Sequence, residues 1–188
     1  MIQKKYRTRR SGGIFVLAVG DLYFGIMAGL GIVPTDFLPL WIMVGMFTLL
    51  GLQLLYGMYT VITDTYIQLV QYPFMNVKIP YDQITGVSLR GLPFFGNTVR
   101  ALFVAAKVKS ISHFYFLDPD GVFRVCTDTA YGNEITANII KTIEQHAPHA
   151  KIDSLAQAFV RIVESKKFKS SIPFKALTEE AARTAEQR

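Results

Sequence analysis

Cysteine is nearly absent: Cys126 is the only one in 188 residues, which excludes an internal disulfide framework and suits a reducing compartment. Histidine occurs three times, and His146 and His149 flank Ala147-Pro148, a spacing that keeps them off one regular helix face where a metal pair would sit. No glycine loop of the phosphate-cradling kind follows a strand, and no pair of carboxylates has a distinctive setting. Cys126, His113 and Asp128 have the residue types of a nucleophile, base and orienter. Strand alternation, however, puts Cys126 beside Val122 and Arg124, with nothing bringing His113 towards it. Neither an enzyme nor a cofactor site is expected. Acids are also scarce, 14 against 20 lysines and arginines, for a net charge of +6. The first twelve residues carry Lys4, Lys5, Arg7, Arg9 and Arg10 without an acid, and no acid lies between Asp82 and Asp118. Without a basic helix or an aromatic RNA-binding motif beside it, this basicity points to anionic lipid rather than nucleic acid.

What the sequence does have is apolar length. Gly13 to Val33 and Phe37 to Tyr59 are runs of about 21 and about 23 residues, each long enough as a helix for a hydrocarbon core of ~30 Å. Only Pro34-Thr35-Asp36 separates them, so they are expected to form an antiparallel transmembrane hairpin. The basic start then places both termini in the cytoplasm and the chain in the inner membrane as a multi-pass protein. Asp21 and Gln53 fall at similar depth in the two runs and are expected to meet, either as a structural clasp or as a functional intramembrane pair. Gly25 and Gly29 make a Gly-x-x-x-Gly step that allows close approach of the second helix or of another copy.

From Thr60 the periodicity changes from helix to strand. Tyr59 to Thr63, Tyr66 to Tyr72, Asn76 to Pro80, Thr85 to Arg90, Val99 to Lys109, Ile111 to Leu117 and Val122 to Thr127 read as seven strands. A helix from Asn133 to about Gln145 follows, with Ile135, Ile139, Ile140 and Ile143 on one face and Asn133 as its cap. These make a small barrel or sandwich with a helix over one end. Beyond Lys151, Asp153 or Ser154 caps a second helix to about Lys167, whereas Ala176 to Arg188 lacks an apolar face and reads as a frayed helix or disordered tail.

Within this stretch, Thr63-Asp64 ends a strand, Pro73-Phe74 turns the chain, and Ile79-Pro80-Tyr81 precedes Ile84. That run, Val61 to Val87, resembles the opening of bacterial pleckstrin-homology-like domains, some of which follow a two-helix hairpin. The resemblance covers roughly Thr60 to Gln145 and implies a seven-stranded, partly open barrel capped by a helix, without catalytic activity, used to bind lipids or protein segments. The fold class expected is thus a membrane-anchored α+β chain. Its parts are a basic N-terminus (1–12), the hairpin (13–59), the PH-like domain (60–146) and a C-terminal helical extension and tail (147–188).

Arg90, Arg100, Lys107 and Lys109 are the basic residues of the acid-free stretch, and Leu92, Phe94 and Phe95 lie in the apolar segment Gly91 to Thr98 between the arginines. This segment reads either as a loop dipping into a leaflet, with cations at lipid phosphates, or as a loop folded back over the barrel end. Two functions follow. One is a non-enzymatic module binding anionic lipid or a lipid-derived ligand through Arg90, Phe94, Phe95, Arg100, Lys107 and Lys109. The other is a scaffold subunit of a membrane complex or homo-oligomer.

Overall fold

The computed structural model describes residues 4–7, 10–32, 38–53, 58–71, 75–94, 97–107, 121–127, 131–166 and 172–186. The chain divides into two units: Met1–Tyr6, Thr60–Leu69 and Val77–Arg188 form one, and Arg7–Tyr59 with Val70–Asn76 the other.

The second unit is built on helices α1 (Arg10–Gly29) and α2 (Leu38–Leu52). They pack through close contact of small against large: Gly20 lies against Phe47, and Phe24 and Phe47 rings sit 5.7 Å apart. The expected pair of membrane spans is not there. Among the described residues no helix is long and apolar enough to cross a membrane, which also removes the multi-pass inner-membrane placement. The physical reason is clearest for the second run. Phe37 to Tyr59 joins a helix of 15 residues to the first residues of a strand, so the helical part is only about 22 Å long. The first helix opens on Arg10 and Ser11 and carries Asp21 and five glycines. Pro34-Thr35-Asp36 and the side chain of Asp21 lie outside the described residues, and Gln53 follows α2 half-buried.

The described strands form two four-stranded sheets rather than a closed seven-stranded barrel, the first mostly and the second wholly within the first unit. Strands β1 (Lys4–Arg7), β2 (Met58–Ile62), β3 (Tyr66–Gln71) and β4 (Met75–Pro80) make one, in that order. The second has the order β7-β6-β5-β8, from β5 (Ile84–Phe94), β6 (Asn97–Ala106), β7 (Gly121–Thr127) and the short β8 (Lys151–Ile152). Two of these strands were not expected: β1 recruits the basic N-terminal stretch, and β8 pairs parallel to β5 at Gly86 and Val87. The expected strand Ile111 to Leu117 lies outside the described residues.

Helices α3 (Asn133–His146), α4 (Ser154–Glu164) and α5 (Phe174–Glu186) complete this unit. Gly132, at φ 86°, is the N-cap of α3, one residue before the expected Asn133. The inner face of the second sheet carries Val87, Leu89, Leu102, Val104 and Phe123, all buried along with Ile139, Ile140 and Ile143 of α3 and Phe159 and Ile162 of α4. Fully burying each such side chain contributes about 1.5–3 kcal/mol. The C-terminal stretch is not a loose tail: Ile172, Leu177 and Ala181 are buried, and α5 packs on α4.

One carboxylate joins strand to helix. Asp153 Oδ1 accepts the Ala156 N–H at 2.6 Å, capping α4, while its Oδ2 accepts the Leu89 N–H at 3.0 Å from β5. Burial raises the pKa of Asp153, opposed by these two hydrogen bonds and by the charge of Arg90. At the β2–β3 turn, Thr63 Oγ1 accepts the Tyr66 N–H at 3.0 Å, and the Tyr81 hydroxyl donates to the Thr63 carbonyl at 3.0 Å. Burial, with a smaller contribution from Asp64, pushes the Tyr81 hydroxyl up to about 12. Tyr81 also stacks on His146 at 4.8 Å between ring centroids.

Candidate functional site

Strands β5, β6 and β7 contain no aspartate or glutamate at all, and their cations divide between two faces. The register fixes which is which. Across the sheet, Ser88 pairs with Phe103 and Phe103 with Arg124, while Arg90 pairs with Ala101 one pleat further along. Side chains of directly opposed residues share a face, so Arg90, Phe103 and Arg124 lie together on the outer side. Arg90 and Arg124 are exposed, and the Arg90 guanidinium sits 5.7 Å from the Phe103 ring centroid. The next row along holds Lys151, Gly86, Ala105 and Val122; Lys151 is exposed and Val122 is 44% exposed. Lys107 is exposed just past the end of β6, where its N–H donates to the Gln83 carbonyl at 2.9 Å. The face is cationic around an aromatic centre. Asp153, on the β5 edge, is an acid within electrostatic reach of Arg90.

Arg100 belongs to the opposite face. Pairing with Gly91, it is only 5% exposed, donates through a guanidinium nitrogen to the Ile172 carbonyl and lies 5.7 Å over the Phe159 ring. It therefore secures the chain entering α5 and is turned away from Arg90. Gly91 is part of the same joint: a Cβ there would meet Thr98 at 2.8 Å and the Phe174 ring at 3.2 Å. The segment Gly91 to Thr98 is mostly strand rather than loop, because Gly91 to Phe94 pair with Arg100 to Asn97. Phe94 ends β5, whereas Phe95 and Lys109 lie outside the described residues, as do His113 and Asp128.

Cys126 also changes sides relative to simple alternation. A bulge in the β6–β7 pairing leaves Val125 without an opposite residue, so Cys126 pairs with Leu102 on the inner face and is buried. Its sulfur lies 3.5 Å from Thr136 Oγ1 of α3. Nearby, Tyr131 is buried within 3.5 Å of Thr60 Oγ1. Its pKa is raised, chiefly by burial and to a lesser extent by Cys126, with the Thr60 contact opposing. Among the described residues, no group of three or more His, Cys, Asp or Glu is placed to hold a metal ion.

Sequence reasoning missed Phe103, Arg124 and Lys151. Arg124 alternates with apolar neighbours and so was legible as outward-facing, but its place opposite Phe103 depends on register.

No family model matches the chain, and comparison with curated proteins and with solved structures returns no match. The resemblance to pleckstrin-homology-like domains is therefore not sustained: no family model matches, the described strands form two sheets, and among the described residues no helix is long and apolar enough to cross a membrane.

Proposed function

We propose that this chain is a non-enzymatic binding module whose outer sheet face takes the phosphate headgroup of an anionic lipid. The observation that carries this reading is the acid-free surface of β5, β6 and β7, on which exposed Arg90 and Arg124 flank Phe103. Guanidinium groups match phosphate oxygens in a planar fork, and an aromatic beside them supplies apolar contact for the glycerol and first methylenes of a lipid. Lys107 and Lys151 extend the field as point charges.

Each basic residue near an anionic lipid surface contributes about 1 kcal/mol, so neutralising two weakens binding by about 30-fold. Calorimetric titration of the full chain with short-chain phosphatidylglycerol, compared with short-chain phosphatidylcholine, tests this. The wild type prefers phosphatidylglycerol, and the Arg90→Gln/Arg124→Gln double variant loses that preference. Equal affinity for the two lipids, or an unchanged double variant, sinks the proposal.

A further inference from the structure

The cations of the outer sheet face form two pairs rather than one cluster. Taken along β6, Arg90 stands level with Ala101, Arg124 with Phe103 and Lys151 with Ala105 through Gly86, while Lys107 follows Ala105 in the same alternation. All four are exposed. At ~3.4 Å per residue and ~4.8 Å between strands, Arg90 and Lys107 lie about 20 Å apart at the backbone, and the centres of the arginine and lysine pairs about 14 Å apart. Backbone bonds hold that spacing. The Lys107 N–H donates to the Gln83 carbonyl at 2.9 Å, and the Asp153 N–H donates to the Val87 carbonyl at 3.0 Å, tying β8 to β5. With the Arg90 guanidinium seated 5.7 Å from the Phe103 ring centroid, one phosphate cannot engage both ends. Between the pairs the floor is low, because Gly86 and Ala105 are small and the larger Phe103 and Val122 only border them.

We propose that the ligand of this face carries two phosphates joined by a short polyol link, the headgroup of a diphosphatidyl lipid. This inference rests on the lipid reading above and narrows it. Arg90 and Arg124 take one phosphate through their planar forks, Lys107 and Lys151 take the other as point charges, and the link lies over Gly86 and Ala105. Screening favours two phosphates over one. At physiological salt the screening length is about 8 Å, so the lysines add little to a phosphate held about 14 Å away between the arginines. A second phosphate tethered to the first arrives beside the lysines at high effective concentration, and there they count.

Calorimetric titration of the full chain at neutral pH and physiological salt, with short-chain diphosphatidylglycerol, short-chain phosphatidylglycerol and glycerol 1,3-bisphosphate, reads the outcome. The diphosphatidyl lipid is expected to bind one per chain and, with two more basic residues engaged, about 30-fold more tightly than phosphatidylglycerol. Lys107→Gln/Lys151→Gln is expected to cut that advantage to less than threefold and to change phosphatidylglycerol affinity by less than threefold. Both lysines are exposed, so its far-UV circular dichroism stays that of the wild type. Glycerol 1,3-bisphosphate, which brings no acyl chain to Phe103 and Val122, is expected to bind more weakly than the lipid. Equal affinity per phosphate for the two anionic lipids overturns the two-phosphate inference, as does a lysine double variant that keeps the full advantage. Either result leaves the preference for phosphatidylglycerol over phosphatidylcholine, and with it the lipid reading, standing. A bisphosphate that binds as tightly as the lipid overturns the inference in favour of a soluble ligand. A wild type that prefers neither anionic lipid to phosphatidylcholine sinks both.

Discussion

Replacing Arg100 by methionine separates a structural arginine from a ligand-binding one. The buried guanidinium donates to the Ile172 carbonyl and lies over Phe159, so it joins β6, α4 and the start of α5. A hydrogen bond from a charged donor contributes about 1.5–3 kcal/mol, and a desolvated cation–π contact up to about 2. Methionine restores most of the stem volume but leaves the carbonyl without that donor. The two contributions are not additive, so the expected loss is about 2–4 kcal/mol in urea unfolding followed by circular dichroism. Because the contact holds the entry to α5, limited trypsin digestion is expected to cut at Lys175 and Arg183 sooner than in the wild type. Affinity of the folded variant for short-chain phosphatidylglycerol should stay within about twofold of wild type, which is about 0.4 kcal/mol. A variant that keeps its stability and its protease resistance while losing lipid affinity would falsify the assignment and return Arg100 to the ligand face.

Two further outcomes follow from single residues. Burial raises the Asp153 pKa, so the folded chain holds that proton more tightly than the unfolded one. Stability from this group is then greatest below the ordinary carboxylate value and falls as pH rises through the window between that value and the raised one. Asp153→Asn cannot ionise and can accept only one of the two N–H groups. It is expected to be less stable than wild type in acid, by a gap that narrows towards neutrality; a gap that is constant with pH contradicts the burial argument. At the end of α4, Lys166 has φ 52°, a left-handed conformation that a side chain resists and glycine accepts. Lys166→Gly is expected to stabilise the chain by roughly 0.5–1 kcal/mol, and a lower melting temperature would count against it.

The strands of the second sheet were legible where period-two alternation is clean, as in Val99 to Ala106. What alternation cannot supply is register. The bulge opposite Leu102 and Phe103 reverses parity within β7, which hides the burial of Cys126 and the meeting of Phe103 with Arg124. Hydropathy likewise does not distinguish an apolar helix from the apolar strand following it. That is why Met58 and Tyr59 were counted into a span although they begin β2. Helix α5 was obscure because its burial rests on Leu177 and Ala181, spaced one turn apart among charged neighbours, and on the preceding Ile172. The fate of Arg100 depends on the same docking, set by a partner 72 residues away.

That separation has a consequence for synthesis. At ribosomal rates of 5–20 residues per second, β6 is made roughly 4–14 s before the carbonyl that Arg100 will engage. During that interval the inner side of the strand offers Leu102, Val104 and Ala106 to the surroundings without the cover of α4 and α5. A charge placed beside an apolar strand opposes edge-to-edge sticking of nascent chains. Arg100 thus stands as a charge beside this apolar row while the polypeptide is incomplete, and becomes a fastener once the last helix arrives.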